Sequence, residues 1–194
     1  DNMVVRVQPG VLLNELAADC VTKGFLYPPD PGEKFATLGG NVSTNAGGMR
    51  AVKYGTTRDY VMGMEVVLPT GEITNFGAVV SKSSTGYSLK DLMIGSEGTL
   101  GVITELTLKI VPLPTTTVSL IVPFENLDEC IATVPKLFKA NLNPQAIEFM
   151  ERDIVIASEK YIGKETFPKN IDGVDANAYL LITFDGENEE EIYN

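Results

Sequence analysis

The chain contains no histidine and no tryptophan, and only two cysteines. Without histidine it lacks the side chain that most often performs acid–base chemistry at neutral pH, which is also the commonest transition-metal ligand. Cys20 and Cys130 lie far apart, and no Cys-x-x-Cys pair or His/carboxylate cluster offers a metal site. The expectation is no metal and two buried free thiols, in different domains and in a reducing, cytoplasmic compartment. No apolar run approaches the ~18 residues of a membrane span, and the N-terminus lacks a basic-then-apolar leader pattern. Neither GxGxxG after a strand nor GxxxxGK[ST] occurs, so dinucleotide fingerprints of the Rossmann kind and P-loops are excluded. Bases are scarce, 15 against 26 acids for a net charge of −11, which argues against a nucleic-acid partner. With 44% hydrophobic residues in 194, the chain can still bury a core in one or two domains.

What the sequence does have is glycine in two concentrated places. In Leu38–Gly48, LGGNVSTNAGG, four of eleven residues are Gly and four more are Asn, Ser or Thr. Each interior Gly costs a helix roughly 1 kcal/mol against Ala, so the run reads as a loop. Such a loop can bring bare backbone N–H groups and short polar side chains against an anion, which makes a phosphate cradle the first reading. An ordinary turn-rich surface loop is the bland alternative. The charge distribution favours the cradle. Between Lys34 and Arg58 there is no acid, while Lys34, Arg50, Lys53 and Arg58 are all present. By contrast, Asp172–Asn194 holds seven acids and no base. Arg50, Lys53 and Tyr54 are open between phosphate, substrate and solvent. The sequon Asn41-Val42-Ser43 reads as a chance match.

The second concentration is Gly95-Ser96-Glu97-Gly98-Thr99-Leu100-Gly101-Val102-Ile103-Thr104. Gly98 and Gly101 would let backbone approach a flat ligand, and Val102 and Ile103 begin an extended segment. Read alone, it is a glycine-rich entry to a strand. Glu97 reads as a buried structural carboxylate in preference to a base.

Local patterns place the rest. Val4, Val5 and Val7 predict a strand. Leu12, Leu13, Leu16, Ala17, Cys20 and Val21 predict an amphipathic helix ended by Gly24. Met64–Leu68 and Glu72–Phe76 predict a hairpin across Leu68-Pro69-Thr70-Gly71. Tyr87–Met93 reads as a short helix, and Leu106, Leu108 and Ile110 alternate as a strand. Pro112–Thr117 marks a boundary. Beyond it, an α+β layer is expected: a strand at Val118–Val122, then a helix opened by Asn126 and Glu129 and kinked or shortened by Pro135. A strand at Ala146–Met150, a helix from about Glu151 to Tyr161 and a strand at Tyr179–Phe184 complete it.

The segments PPDPGEKFATLGGNVSTNAGGMRAVKYGTTRDYVMGMEVVLPTGEI and KSSTGYSLKDLMIGSEGTLGVITELTLKI together resemble FAD-linked oxidases of the vanillyl-alcohol oxidase and p-cresol methylhydroxylase type. The similarity is nearest to glycolate oxidase flavin subunits and to D-lactate and D-2-hydroxyglutarate dehydrogenases, from about Val4 to Pro112 and more weakly beyond. The resemblance implies an α+β fold: residues 1–113 as the second subdomain of a two-part FAD-binding domain, and 114–194 as the start of an α+β substrate-cap domain, truncated at Glu189–Asn194. It implies FAD as cofactor, contacted by Pro31, Thr37, Gly39, Gly40, Asn41, Thr44, Asn45, Ala46 and Gly47 from the first segment. From the second it implies Gly98, Gly101, Val102 and Ile103. It further implies a small 2-hydroxy acid substrate oxidised to the 2-oxo acid, and allows an electron-acceptor subunit. No catalytic base or carboxylate clamp is assignable within these residues. A non-catalytic FAD-binding module and an FAD-dependent non-redox synthase are the alternatives.

Overall fold

The computed structural model describes residues 2–80 and 82–193. They form two compact units, 1–113 and 114–194.

The first unit begins with strand β1 (Val4–Val7) and helix α1 (Leu13–Thr22). Leu13, Leu16 and Cys20 repeat at helical spacing and are buried. Gly24, at φ +76°, ends the helix in the left-handed conformation that a side chain would resist. Strand β2 (Phe25–Leu26), helix α2 (Leu38–Thr44), helix α3 (Ala51–Tyr54) and a 3₁₀ turn at Thr57–Tyr60 lead to strand β3 (Val61–Val67). Strand β4 (Ile73–Gly77) returns antiparallel through Leu68-Pro69-Thr70-Gly71, where the Gly71 N–H donates to the Leu68 carbonyl at 2.8 Å. Helix α4 (Leu89–Met93) precedes strand β5 (Val102–Lys109) and strand β6 (Val111–Pro112), which pairs with β2.

The main sheet has the order β1-β5-β3-β4, all antiparallel. The strand that follows the second glycine segment is therefore flanked by β1 and β3. One face carries the core, in which Leu38, Val42, Val66, Leu106 and Leu108 are fully buried.

The second unit contains strand β7 (Thr116–Phe124), helix α5 (Leu127–Lys139), strand β8 (Ala146–Glu151) and helix α6 (Arg152–Ile162). The short strands β9 (Asn170–Ile171) and β10 (Val174–Asp175), strand β11 (Ala178–Gly186) and helix α7 (Glu189–Tyr193) follow. Strands β7, β11 and β8 form an antiparallel sheet with β11 central. Asn126 caps α5, its side-chain oxygen accepting from the Glu129 N–H at 2.9 Å. Pro135 lies inside α5, yet the helix continues to Lys139, so the expected shortening does not occur. Glu159 is buried in α6 and accepts hydrogen bonds from the Thr166 and Phe167 N–H groups and from Lys169. Cys20 and Cys130 are both free and buried, one in each unit. Burial pushes both thiols up from their ordinary pKa. Among the described residues no helix is long and apolar enough to cross a membrane. Asn194, the end of the expected truncated helix, lies outside the described residues.

Candidate functional site

The first glycine segment is a helix, not a loop. Thr37 caps α2 by accepting from the Gly40 N–H at 3.2 Å. Leu38 and Val42 lie four apart on one face and are fully buried. Asn45 ends the helix at φ +49°, ψ +52°, a left-handed position that asparagine tolerates well. A cap at each end and two core anchors offset the cost of the glycines.

That change of state changes the chemistry. The N–H groups of the first turn are not bare. Leu38 donates to the Val11 carbonyl and Gly39 to the Pro9 carbonyl, both at 2.9 Å. Gly40 donates to the Thr37 hydroxyl oxygen and Asn41 to the Thr37 carbonyl. The expected cradle of free amides is therefore absent from α2, because the capping that makes the helix possible also consumes them.

The two glycine segments nevertheless meet. The Gly95 N–H donates to the Val42 carbonyl at 3.0 Å, and the Glu97 N–H to the Ser43 carbonyl at 2.9 Å. Between them runs a groove of about 370 Å³ lined by Pro9, Gly10, Thr37, Gly39, Gly40, Ser43, Gly98, Gly101, Val102 and Ile103. Six expected contact residues line it together: Thr37, Gly39, Gly40, Gly98, Gly101 and Val102, with Ile103 as a seventh. Pro31, Asn41, Thr44, Asn45, Ala46 and Gly47 are not in that lining. Asn41 is buried within α2, and Thr44 donates to the Gly40 carbonyl at 3.0 Å. Asn45 and Ala46 accept from residues 56–58 through the Asn45 side chain and the Ala46 carbonyl. Pro31 is buried, and its nitrogen would lie 2.8 Å from a Cβ at Gly48.

Pro9, Gly10 and Ser43 escaped the sequence reading. Ser43 follows Gly39 and Gly40 at i+4 and i+3, so it joins them on one face only once the segment is known to be helical. Glu97 is corrected as well. It is exposed and left-handed at φ +53°, not a buried carboxylate.

The cationic window is largely spent within the fold. Arg50 Nε lies 3.7 Å from Asp30 Oδ2, and Lys34 pairs with the same carboxylate just outside the acid-free stretch. Arg58 Nη1 and Nη2 donate to the Asp91 and Ile94 carbonyls at 2.6 and 2.9 Å. Lys53 sits 5.3 Å over the Tyr54 ring. Burial opposes ionisation of Asp91, but hydrogen bonds from Ser88 and Lys90 and the neighbouring Lys90 and Arg58 charges hold it below the usual carboxylate range.

The groove combines backbone, the Thr37 and Ser43 hydroxyls and the apolar edges of Pro9, Val102 and Ile103. That mixture suits a ligand with both phosphate or ribose groups and an aromatic ring. A Cβ at Gly40 would meet no protein atom within 4 Å except Thr37 Oγ1 at 3.1 Å, and one at Gly98 would meet none. Side chains there would project into the open groove. The volume lies at the low end of the ~300–1,000 Å³ of small-molecule sites, so the groove suits part of a dinucleotide.

Comparison with known proteins follows the same division. The family described as "FAD binding domain" matches residues 1–77, and "FAD linked oxidases, C-terminal domain" matches residues 113–193. The second glycine segment falls between the two matches but lies in the first unit. The chain is 65% identical over 192 residues, 99% of its length, to a D-lactate dehydrogenase of Anaerostipes hadrus. It is 42% identical over 189 residues, 96% of its length, to the glycolate oxidase subunit GlcD of Bacillus subtilis. It covers 40% and 38% of those proteins, so it spans about two fifths of the curated relatives it matches. A solved alkyldihydroxyacetonephosphate synthase superposes with a TM-score of 0.77 at 24% identity, over 95% of this chain and 35% of that one, which shows the shared fold. Two family matches in sequence order, on an α+β fold of the same kind, establish that the chain belongs to the FAD-linked oxidases.

Proposed function

We propose that residues 1–113 supply one wall of the FAD site of an enzyme that oxidises a small 2-hydroxy acid, of the D-lactate or glycolate type, to the 2-oxo acid. Residues 114–194 belong, on this reading, to the domain that caps the substrate. The observation that carries the proposal is the groove itself. It joins Gly39, Gly40 and Ser43 of one segment to Gly98, Gly101 and Val102 of the other, the pairing expected of an FAD-binding surface. The relatives named D-lactate dehydrogenase and glycolate oxidase subunit support the substrate class.

When bound, FAD supplies the acceptor for the two electrons leaving the α-carbon. The chain's own residues bind and orient. The Thr37 hydroxyl accepts from Gly40 and keeps its proton to donate, and Ser43 is the second hydroxyl-bearing residue of the lining. Pro9, Val102 and Ile103 offer an apolar surface for a ring, and the absent Cβ atoms at Gly40 and Gly98 leave backbone open to close approach.

The protein purified from its natural source is the material for the test. The expected result is a visible flavin spectrum, with reduction of a dye acceptor by D-lactate, glycolate or D-2-hydroxyglutarate. Absence of flavin would overturn the cofactor assignment. Bound flavin that none of these acids reduces would overturn the substrate class and leave a non-catalytic module or a non-redox synthase.

A further inference from the structure

Arg58 lies outside the groove lining, yet it bonds to the first segment and to the residues that lead into the second. Its backbone N–H donates to Asn45 Oδ1 at 2.9 Å, at the C-terminal cap of α2. Its guanidinium reaches the other way, to the Asp91 and Ile94 carbonyls at the end of α4. Ile94 directly precedes Gly95, whose N–H returns to the Val42 carbonyl of α2. The path closes on itself: from Asn45 to Arg58, from Arg58 to Ile94, along the chain to Gly95, and back to Val42.

The chemistry explains why arginine is needed. The last carbonyls of a helix have no partner within it and sit at its negative end. Two of them, three residues apart, require two donors held in a fixed plane. A guanidinium offers that fork, whereas an ammonium is a single point charge. Gly95 completes the fit. A Cβ there would lie 3.6 Å from both Arg58 Nη2 and Asn45 Cβ, so the glycine backbone is seated between the two. Both terminal nitrogens of Arg58 are engaged with protein carbonyls, which distinguishes it from a cation held ready for phosphate.

We propose that Arg58 is the positioning residue that holds the two walls of the groove in register, and that it acts on cofactor binding through Asn45 and Gly95 without touching the ligand. This rests on the reading of the groove as an FAD site, but the clamp can be tested independently.

The test compares Arg58→Met and Arg58→Lys with Ile110→Val, a mild core change away from both walls. Amide hydrogen exchange is read at Gly95 and Glu97, whose N–H groups bridge the walls, and at Leu106 and Leu108 in β5. FAD affinity is read by flavin fluorescence. In Arg58→Met, exchange at Gly95 and Glu97 should accelerate roughly tenfold or more over Leu106 and Leu108, as expected of a local opening. FAD affinity should fall by about tenfold or more. Arg58→Lys, keeping one donor of the fork, should be intermediate in both. Unchanged exchange at Gly95 and Glu97 would overturn the proposal, as would a pattern matching that of Ile110→Val. Selective opening with unaltered FAD affinity would overturn it too. Should the wild-type chain bind no FAD, the cofactor reading fails, and the exchange data alone decide whether Arg58 holds the walls. If Arg58→Met does not fold, Arg58→Lys carries both measurements.

Discussion

The two walls of the groove use the same residue for two different purposes, and each wall contains one glycine of each kind. In the first wall, a Cβ at Gly39 would lie 2.5 Å from Pro9 Cβ, while at Gly40 only the rotatable Thr37 hydroxyl is near. In the second, a Cβ at Gly101 would lie 2.6 Å from Val66 Cγ1 and 2.8 Å from the Val67 carbonyl oxygen, while at Gly98 nothing is near. Gly39 and Gly101 are small because the protein packs against them. Gly40 is small with no packed protein atom demanding it, and Gly98 has open space beside it but a left-handed backbone, φ +77°, that favours glycine. A glycine-rich motif is thus not uniformly a ligand motif, and contacts together with backbone angles separate its structural members from the others.

The largest expected effect breaks the packed pair. Gly39→Ala and Gly101→Ala should each lower stability by about 1–3 kcal/mol, the range for forcing extra carbon into a filled site. Thermal or denaturant unfolding measures it, and normal stability in either variant would mean that the backbone moves aside freely. Gly40→Ala is the counterpart. At an exposed helical position, replacing Gly should leave stability unchanged or raise it by up to ~1 kcal/mol, less whatever the Thr37 cap loses. Gly98 is the less clean partner, since its φ of +77° strains any side chain whatever the space.

Smaller effects sharpen the contrast in how the walls are anchored. The first wall is held by neutral groups, Thr37 and Asn45, and the second by Arg58 and Asp91. Asp91 has a depressed folded pKa, so its contribution is present above the unfolded carboxylate pKa and is lost as pH falls through the folded value. Acidification below the usual carboxylate range should therefore lower the protection of the Gly95 amide, relative to its unstructured exchange rate at the same pH, before that of Gly40, and Asp91→Asn should remove that order. Simultaneous loosening of both walls would show that the ion contributes nothing distinctive. The smallest effect belongs to Arg50→Gln. Its pairing with Asp30 at 3.7 Å is partly exposed, and such pairs contribute ~0–1 kcal/mol. Denaturant unfolding measures it, and a loss of stability well beyond that would show that Arg50 anchors the fold through more than its pairing with Asp30.

Elements with strong local chemistry were legible in the sequence. The Leu68-Pro69-Thr70-Gly71 turn, the Gly24 stop after α1 and the Asn126 cap of α5 each follow from a residue that satisfies a backbone requirement on the spot. The first glycine segment was misread because propensity was weighed without its anchors. Burial of Leu38 and Val42 and the caps at Thr37 and Asn45 are tertiary and terminal terms that outweigh the glycine cost. Ser43 was lost with the helical face. Arg58 was legible as a cation but not as a clamp, because Asp91 and Ile94 come beside it only through the fold. Glu97 was placed in the core by motif position alone, whereas its left-handed turn puts it outside.

The central claim is that the groove between the two glycine segments is the FAD surface. Its most direct test is a fluorescence titration of FAD with the chain and with Gly40→Val, alongside a thermal melt of each. The account predicts saturable binding to the wild type, micromolar or weaker for a chain that supplies one side of the cofactor site. It predicts at least about a tenfold loss in Gly40→Val, with a melting temperature lowered by no more than a weakened Thr37 cap accounts for, because the added side chain otherwise enters the open groove. Identical titrations for the two proteins, or no saturable binding to the wild type, would contradict it.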